Sequence, residues 1–173
     1  MTMKQPVQKI WELAFWILAI LDIAGIAAEI KMLHFIVKPL LIPALLVLLF
    51  YTRPTLPGKK LLLTGLFFSW LGDLFLLFEY KNQLFFIFGL ACFLTTHIFY
   101  IIYFLKTGSA AVSLLKKQPL LPILVIVYGI SLVWLLYPHL ADLKIPVMAY
   151  AAVICCMLIG SLHVFYKVKD PAL

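Results

Sequence analysis

Apolar residues run in long blocks along this chain, and charges gather in the short stretches between them. Six blocks stand out: Trp11–Ile30, Leu33–Tyr51, Leu61–Phe78, Leu84–Leu105, Leu120–Tyr137 and Val147–Tyr166. Each is near the ~20 residues that a helix needs to cross a bilayer. In hydrocarbon every backbone N–H and C=O must find a partner within the protein, so each block is predicted to be a helix. The short connections predict antiparallel neighbours. The pattern gives an all-α fold: a polytopic transmembrane helix bundle of about six spans, in one domain over residues 1–173. No soluble domain, long linker or internal repeat interrupts it.

Polar residues inside these blocks are the exceptions that need a reason. Within the third block, Gly65, Ser69, Gly72, Asp73 and Leu76 fall on one helical stripe at spacings of three and four. The small residues admit a neighbouring backbone, and Asp73 is expected to face that neighbour and not lipid. A carboxylate at membrane depth costs roughly 2.5–3.5 kcal/mol on insertion scales, so partners are needed. The first block holds Asp22, Gly25 and Glu29 at helical spacings; Glu29 is near the outer end, where solvation alone would account for it. The second block contains Lys38, Pro39 and Pro43. Prolines here deprive the carbonyls of Phe35 and Pro39 of their usual donors, and substitutes must come from water, a side chain or a ligand. Lys38 either snorkels to the interface, pairs with Asp22 or Asp73, or meets an anionic ligand. In the fourth block Gly89, Phe93, Thr96, His97 and Tyr100 share a stripe, and His97 is either hydrogen-bonded in the core or functional. At ~1.5 Å per residue, Asp22, Lys38 and Asp73 lie ~12, ~8 and ~9 Å below the outer ends of their helices, and His97 ~20 Å. A polar pocket in the outer half of the bundle is the expectation, with His97 nearer its floor.

Composition and charge set the surroundings. Of the 173 residues 65% are hydrophobic and 12% charged, whereas soluble domains have about 45–50% and 25%. The net charge of +7 does not point to nucleic acid, because the basic residues sit between apolar blocks and form no patch. They set orientation instead. Lys4, Lys9, Arg53, Lys59, Lys60, Lys106, Lys116, Lys117, Lys167 and Lys169 fall on one side, against Lys31, Lys81 and Lys144 on the other. That asymmetry places both termini in the cytoplasm and fits a bacterial inner membrane. Asp22 and the length of the first block argue against a cleaved signal peptide. Cys92, Cys155 and Cys156 lie in apolar blocks with no CxxC pair and no metal-ligand spacing, so no metal and no cofactor is expected.

Several pieces occur together in order: Ala27-Ala28-Glu29, Lys38-Pro39-Leu40-Leu41-Ile42-Pro43, Phe68-Ser69-Trp70-Leu71-Gly72-Asp73, Gly89-Leu90 through Phe93-Leu94 to His97, and Tyr150 with Met157. In these the chain resembles the YhhN-like family of multi-pass membrane proteins, the lysoplasmalogenases. The resemblance implies hydrolysis of the vinyl ether bond of a lysoplasmalogen, a lysophospholipid, to a fatty aldehyde and a glycerophospho-head group. It also implies eight helices and a second Ser-Asp motif after a Gly-Ala pair. This sequence reaches Leu173 soon after its sixth block without that motif, so the expectation is a chain lacking the family's last two helices.

The polar inventory suits that chemistry. A vinyl ether is cleaved by protonating its β-carbon, and water traps the resulting oxocarbenium ion. Protonating carbon needs an acid still protonated near neutral pH, which a low-dielectric surrounding favours for a carboxyl group. A second carboxylate can stabilise the cation and activate water, as in glycoside hydrolysis. The expected catalytic residues are Asp73 as acid or water-activating group, Ser69 orienting it, His97 for proton transfer and Glu29 for supporting charge. Lys38 is expected to meet the substrate phosphate, with Asp22 and Tyr100 also in the binding site. A proton-coupled transporter or channel uses the same residue types, and an inactive scaffold could use an Asp73–Lys38 pair for packing alone.

Overall fold

A computed structural model describes residues 5–52, 56–108 and 113–169. Among them the regular structure is helical throughout: α1 (Gln5–Ala27), α2 (Lys31–Thr52), α3 (Lys59–Leu76), α4 (Gln83–Thr107), α5 (Leu114–Lys117), α6 (Leu120–Leu136) and α7 (Lys144–Lys169). Two 3-10 turns, Tyr137–His139 and Ala141–Leu143, join α6 to α7. Each apolar block has become one helix. The four-residue α5 lies in the fourth connection, where the sequence reading had no element. Lys4 and Arg53, counted in the charge asymmetry, lie outside the described residues.

Among the described residues five helices are long and apolar enough to cross a membrane: Val7–Ala27, Lys31–Tyr51, Gln83–Thr107, Leu120–His139 and Lys144–Phe165. The helix that differs from the expected six is α3. It has 18 residues and carries Lys59, Lys60 and Asp73. The exposed surface of the described chain is strongly apolar, with Trp134 78% and Ile145 80% exposed. A water-soluble protein would not leave such area uncovered; apolar helices of these lengths suggest association with a lipid bilayer.

The chain divides into two compact units, Met1–Thr96 and His97–Leu173, and α4 runs through the division. In the first unit α1 packs on α2, and α2 on α3. The turn between α1 and α2 differs from the predicted helical run to Ile30. Ile30 N–H reaches Gly25 O at 2.8 Å, and Glu29 N–H reaches Ile26 O at 3.1 Å. This is the bonding of a Schellman C-cap, with Glu29 in the left-handed position at φ 55°. Glu29 therefore does not extend the Asp22–Gly25 stripe; it stands on the reversal itself.

The stripe on α3 serves two neighbours. Its glycines face α4: a Cβ at Gly72 would stand 2.9 Å from the Phe93 ring, and one at Gly89 2.9 Å from Leu76. The buried Thr96 hydroxyl donates to Gly65 O at 3.0 Å and is also 3.1 Å from Cys92 O. Asp73, one residue and 100° of helix beyond Gly72, points instead toward α2. Pro39 and Pro43 both lie inside α2, which continues through them. The carbonyl that Pro43 leaves without a donor is that of Pro39, and the Trp70 indole N–H supplies one at 2.9 Å. In the second unit α6 and α5 pack on α7.

Candidate functional site

Four titratable side chains from three helices meet in the first unit. Lys38 Nζ on α2 lies 3.9 Å from Asp73 Oδ1 on α3. That is beyond hydrogen-bond distance, so the pair is held by charge and not by a shared proton. Asp22 Oδ1 on α1 accepts a 2.9 Å hydrogen bond from His34 Nδ1 on α2. Lys38 and, more weakly, His34 attract the Asp73 carboxylate, and the like charge of Asp22 repels it. Their side chains are 14–28% exposed, sheltered but not sealed. The matched depths of Asp22, Lys38 and Asp73 thus correspond to a real cluster. His34 was missed as a member. Its signal was present, since it precedes Lys38 by four residues and shares its helical face.

Beside this cluster is a cleft of about 650 Å³. Its lining mixes charged or titratable side chains, Glu29, Lys31, His34, Lys38 and Glu79, with the apolar Ile26, Phe35, Leu76 and Leu77. The volume is that of a small-molecule site, and the mixed lining suits an amphiphile. Glu29 reaches this lining from its left-handed position, which normally favours glycine or asparagine. Ser69 is half-buried on α3, and no hydrogen bond joins it to Asp73 among the described residues.

His97 belongs to the second unit. Its Nε2 is 3.2 Å from the Tyr150 hydroxyl, with ring centroids 5.5 Å apart. Its Nδ1 is buried with no hydrogen-bond partner among the described residues. Tyr100 is half-buried on the same helix. The second unit holds another polar contact that the sequence did not reveal. His163 Nδ1 and Ser113 Oγ are 2.9 Å apart, and Ser113 also caps α5 by accepting from Leu115 N–H at 3.2 Å. His163 is thereby tied to the N-terminus of α5. A groove of about 690 Å³ between α6 and α7 is lined by apolar and small side chains such as Ile130, Trp134, Ala152 and Cys156, and carries no acid–base groups beyond Tyr137 and the two thiols. Among the described residues no three His, Cys, Asp or Glu side chains are placed to hold a metal ion.

No curated protein and no solved structure matches the chain. The chain matches the description of the YhhN family over residues 33–172, a stretch that takes in Lys38, Ser69, Asp73, His97 and Tyr100 and begins after Asp22 and Glu29. With that much of its length matched, the chain belongs to the YhhN family.

Proposed function

We propose that this membrane protein is a hydrolase that cleaves the vinyl ether bond of a lysoplasmalogen, releasing a fatty aldehyde and a glycerophospho-head group. The observation that carries the reading is Asp73, part-buried in α3 beside Lys38, where Lys38 also lines a cleft of mixed charged and apolar side chains. Family membership supports the same class of membrane protein.

A carboxyl group delivers a proton to the β-carbon of the vinyl ether. The C=C electron pair forms the new C–H bond, and the ether oxygen stabilises the cation at the α-carbon. Water adds to that carbon and gives its proton to a carboxylate, restoring the acid. The hemiacetal then collapses, its C–O bond to glycerol breaking as the hydroxyl becomes the aldehyde carbonyl. The balance is one water consumed, one aldehyde and one alcohol formed. Asp73 is the proposed acid or water-activating group, with Ser69 orienting it and Glu29 or Asp22 supplying supporting negative charge near the cation. His97 is proposed for proton transfer, a role that an imidazole with one unpartnered nitrogen can serve. Tyr100 is proposed as a substrate contact. The membrane is proposed to be a bacterial inner membrane, on the loop charges.

The test is aldehyde release from an alkenyl lysophospholipid by the purified chain, beside Asp73→Asn. Release by the parent and loss in the variant is the expected result. No aldehyde from the parent overturns the enzyme reading, and equal release by both overturns the role of Asp73. Proton-dependent solute uptake into proteoliposomes, without aldehyde release, would favour a transporter, which could use the same charge cluster.

A further inference from the structure

We infer that Lys31, and not Lys38, anchors the phosphate of the substrate head group; this rests on the lysophospholipid reading of the cleft. Three cationic or potentially cationic side chains line the cleft, Lys31, His34 and Lys38. They are spaced by three and four residues, so they form one stripe along α2 from its first residue inward. Two are engaged: Lys38 with Asp73, His34 with Asp22. Lys31 is exposed, and its side chain makes no hydrogen bond or ion pair among the described residues. It is the cation of this lining left available to a ligand.

Spacing separates the roles further. Lys31 and Lys38 are seven residues apart, about 10 Å along α2 at ~1.5 Å per residue. In a lysoplasmalogen the vinyl ether oxygen and the phosphorus are separated by the three glycerol carbons and one ester oxygen. With the reacting bond at Asp73 and Lys38 and the head group in the cleft, the phosphate lies on the Lys31 side, within reach of the Lys31 stem. A lysine that neutralises Asp73 has less of its charge to offer a phosphate. The carboxylates of Glu29 and Glu79 share this wall. They repel a phosphate, so one bound in this lining needs a cation beside it, and Lys31 is the unengaged one.

Binding tests this without needing turnover. The probe is a saturated alkyl-ether lysophospholipid, which keeps the phosphate but has no vinyl ether to cleave, compared with the matching alkyl glycerol without phosphate. Affinity is measured for the parent, Lys31→Ala, Lys31→Arg and, as a control for general surface charge, Lys81→Ala, whose amine stacks over Phe78 and Tyr80. A charge-assisted contact predicts that Lys31→Ala weakens the phosphate-bearing probe by about ten- to a hundredfold. Lys31→Arg retains binding, Lys81→Ala is neutral, and the phosphate-free probe does not distinguish parent from variants. The inference is overturned if Lys31→Ala binds the phospholipid probe as the parent does. It is equally overturned if both probes weaken alike, if Lys81→Ala weakens binding as much, or if the parent shows no preference for the phosphate. Should the parent bind with the expected dependence on Lys31 yet release no aldehyde, the hydrolase reading falls and the anchor stands.

Discussion

Asp73 carries a carboxylate into the interior of α3 and meets Lys38 at 3.9 Å. Replacing it by Asn keeps shape and removes the acid, so aldehyde release is expected to fall by about 10²–10⁴, the usual share of a general acid or base. Lys38→Met leaves Asp73 with an uncompensated charge. Fully buried pairs lose about 3–5 kcal/mol when one partner goes, but at 20–24% exposure solvent screens the charge, and about 1–2 kcal/mol is expected here. A thermal midpoint in detergent checks this, and adding Asp73→Leu to Lys38→Met should recover stability while leaving activity lost. Glu29 invites the opposite experiment. A non-glycine residue in the left-handed region costs ~1–2 kcal/mol, and such outliers cluster where a side chain is needed. Glu29→Gly is therefore expected to raise stability by about 1 kcal/mol, less whatever the freer unfolded chain takes back, and to lower aldehyde release. A rise in both would mean that the carboxylate does nothing in the cleft.

At the scale of the element, α2 shows which part of the structure the sequence could carry. Pro39 and Pro43 identify the carbonyls left without helical donors, because the loss follows from covalent structure alone. Which group would answer them does not follow. Trp70 is 31 residues from Pro39, and nothing in its neighbourhood marks it as a donor and not as another apolar ring. The same limit explains Glu29: Glu is an uncommon residue for a left-handed cap, so no Gly or Asn announced the stop of α1 two residues earlier. It also explains the split on α3, where a single stripe was legible but its division between α4 and α2 depends on how three helices pack. The Trp70–Pro39 bond gives a closed test. Trp70→Phe removes the donor and is expected to cost about 1–3 kcal/mol. Pro43→Ala restores the N–H that the Pro39 carbonyl would normally bond, so in the double variant the Trp70→Phe loss should shrink. Unfolding midpoints of the four proteins in one detergent measure the coupling, and strictly additive losses would show that the indole is not substituting for the proline.

For the whole molecule, the count of crossings decides the topology, and α3 decides the count. The apolar blocks were legible as helices within a few residues, because chain length against bilayer thickness is a one-dimensional property. Whether α3 crosses is not, because it has 18 residues with Lys59 and Lys60 at one end and Asp73 near the other. At ~1.5 Å per residue it is ~27 Å long, close to the ~30 Å of hydrocarbon. Lysines at the end can extend their amines to the interface, and the Lys59 amine does bond the Phe50 carbonyl near the end of α2. That leaves Asp73 as the obstacle, and Lys38 of α2 stands beside it. The expectation is that α3 crosses as a partner of α2 and not on its own hydrophobicity. Six crossings put both termini on one side; five would put them on opposite sides. Reporter fusions to the two ends, one active only in the cytoplasm and one only outside it, read that parity directly. Both ends should report the cytoplasm, the side that the ten clustered basic residues favour. In Lys38→Met, where Asp73 must enter without its partner, a fraction of chains should leave α3 uninserted and change the report of the C-terminal fusion alone. Opposite sides in the parent would mean that α3 does not span, and that Asp73 is not a membrane carboxylate at all.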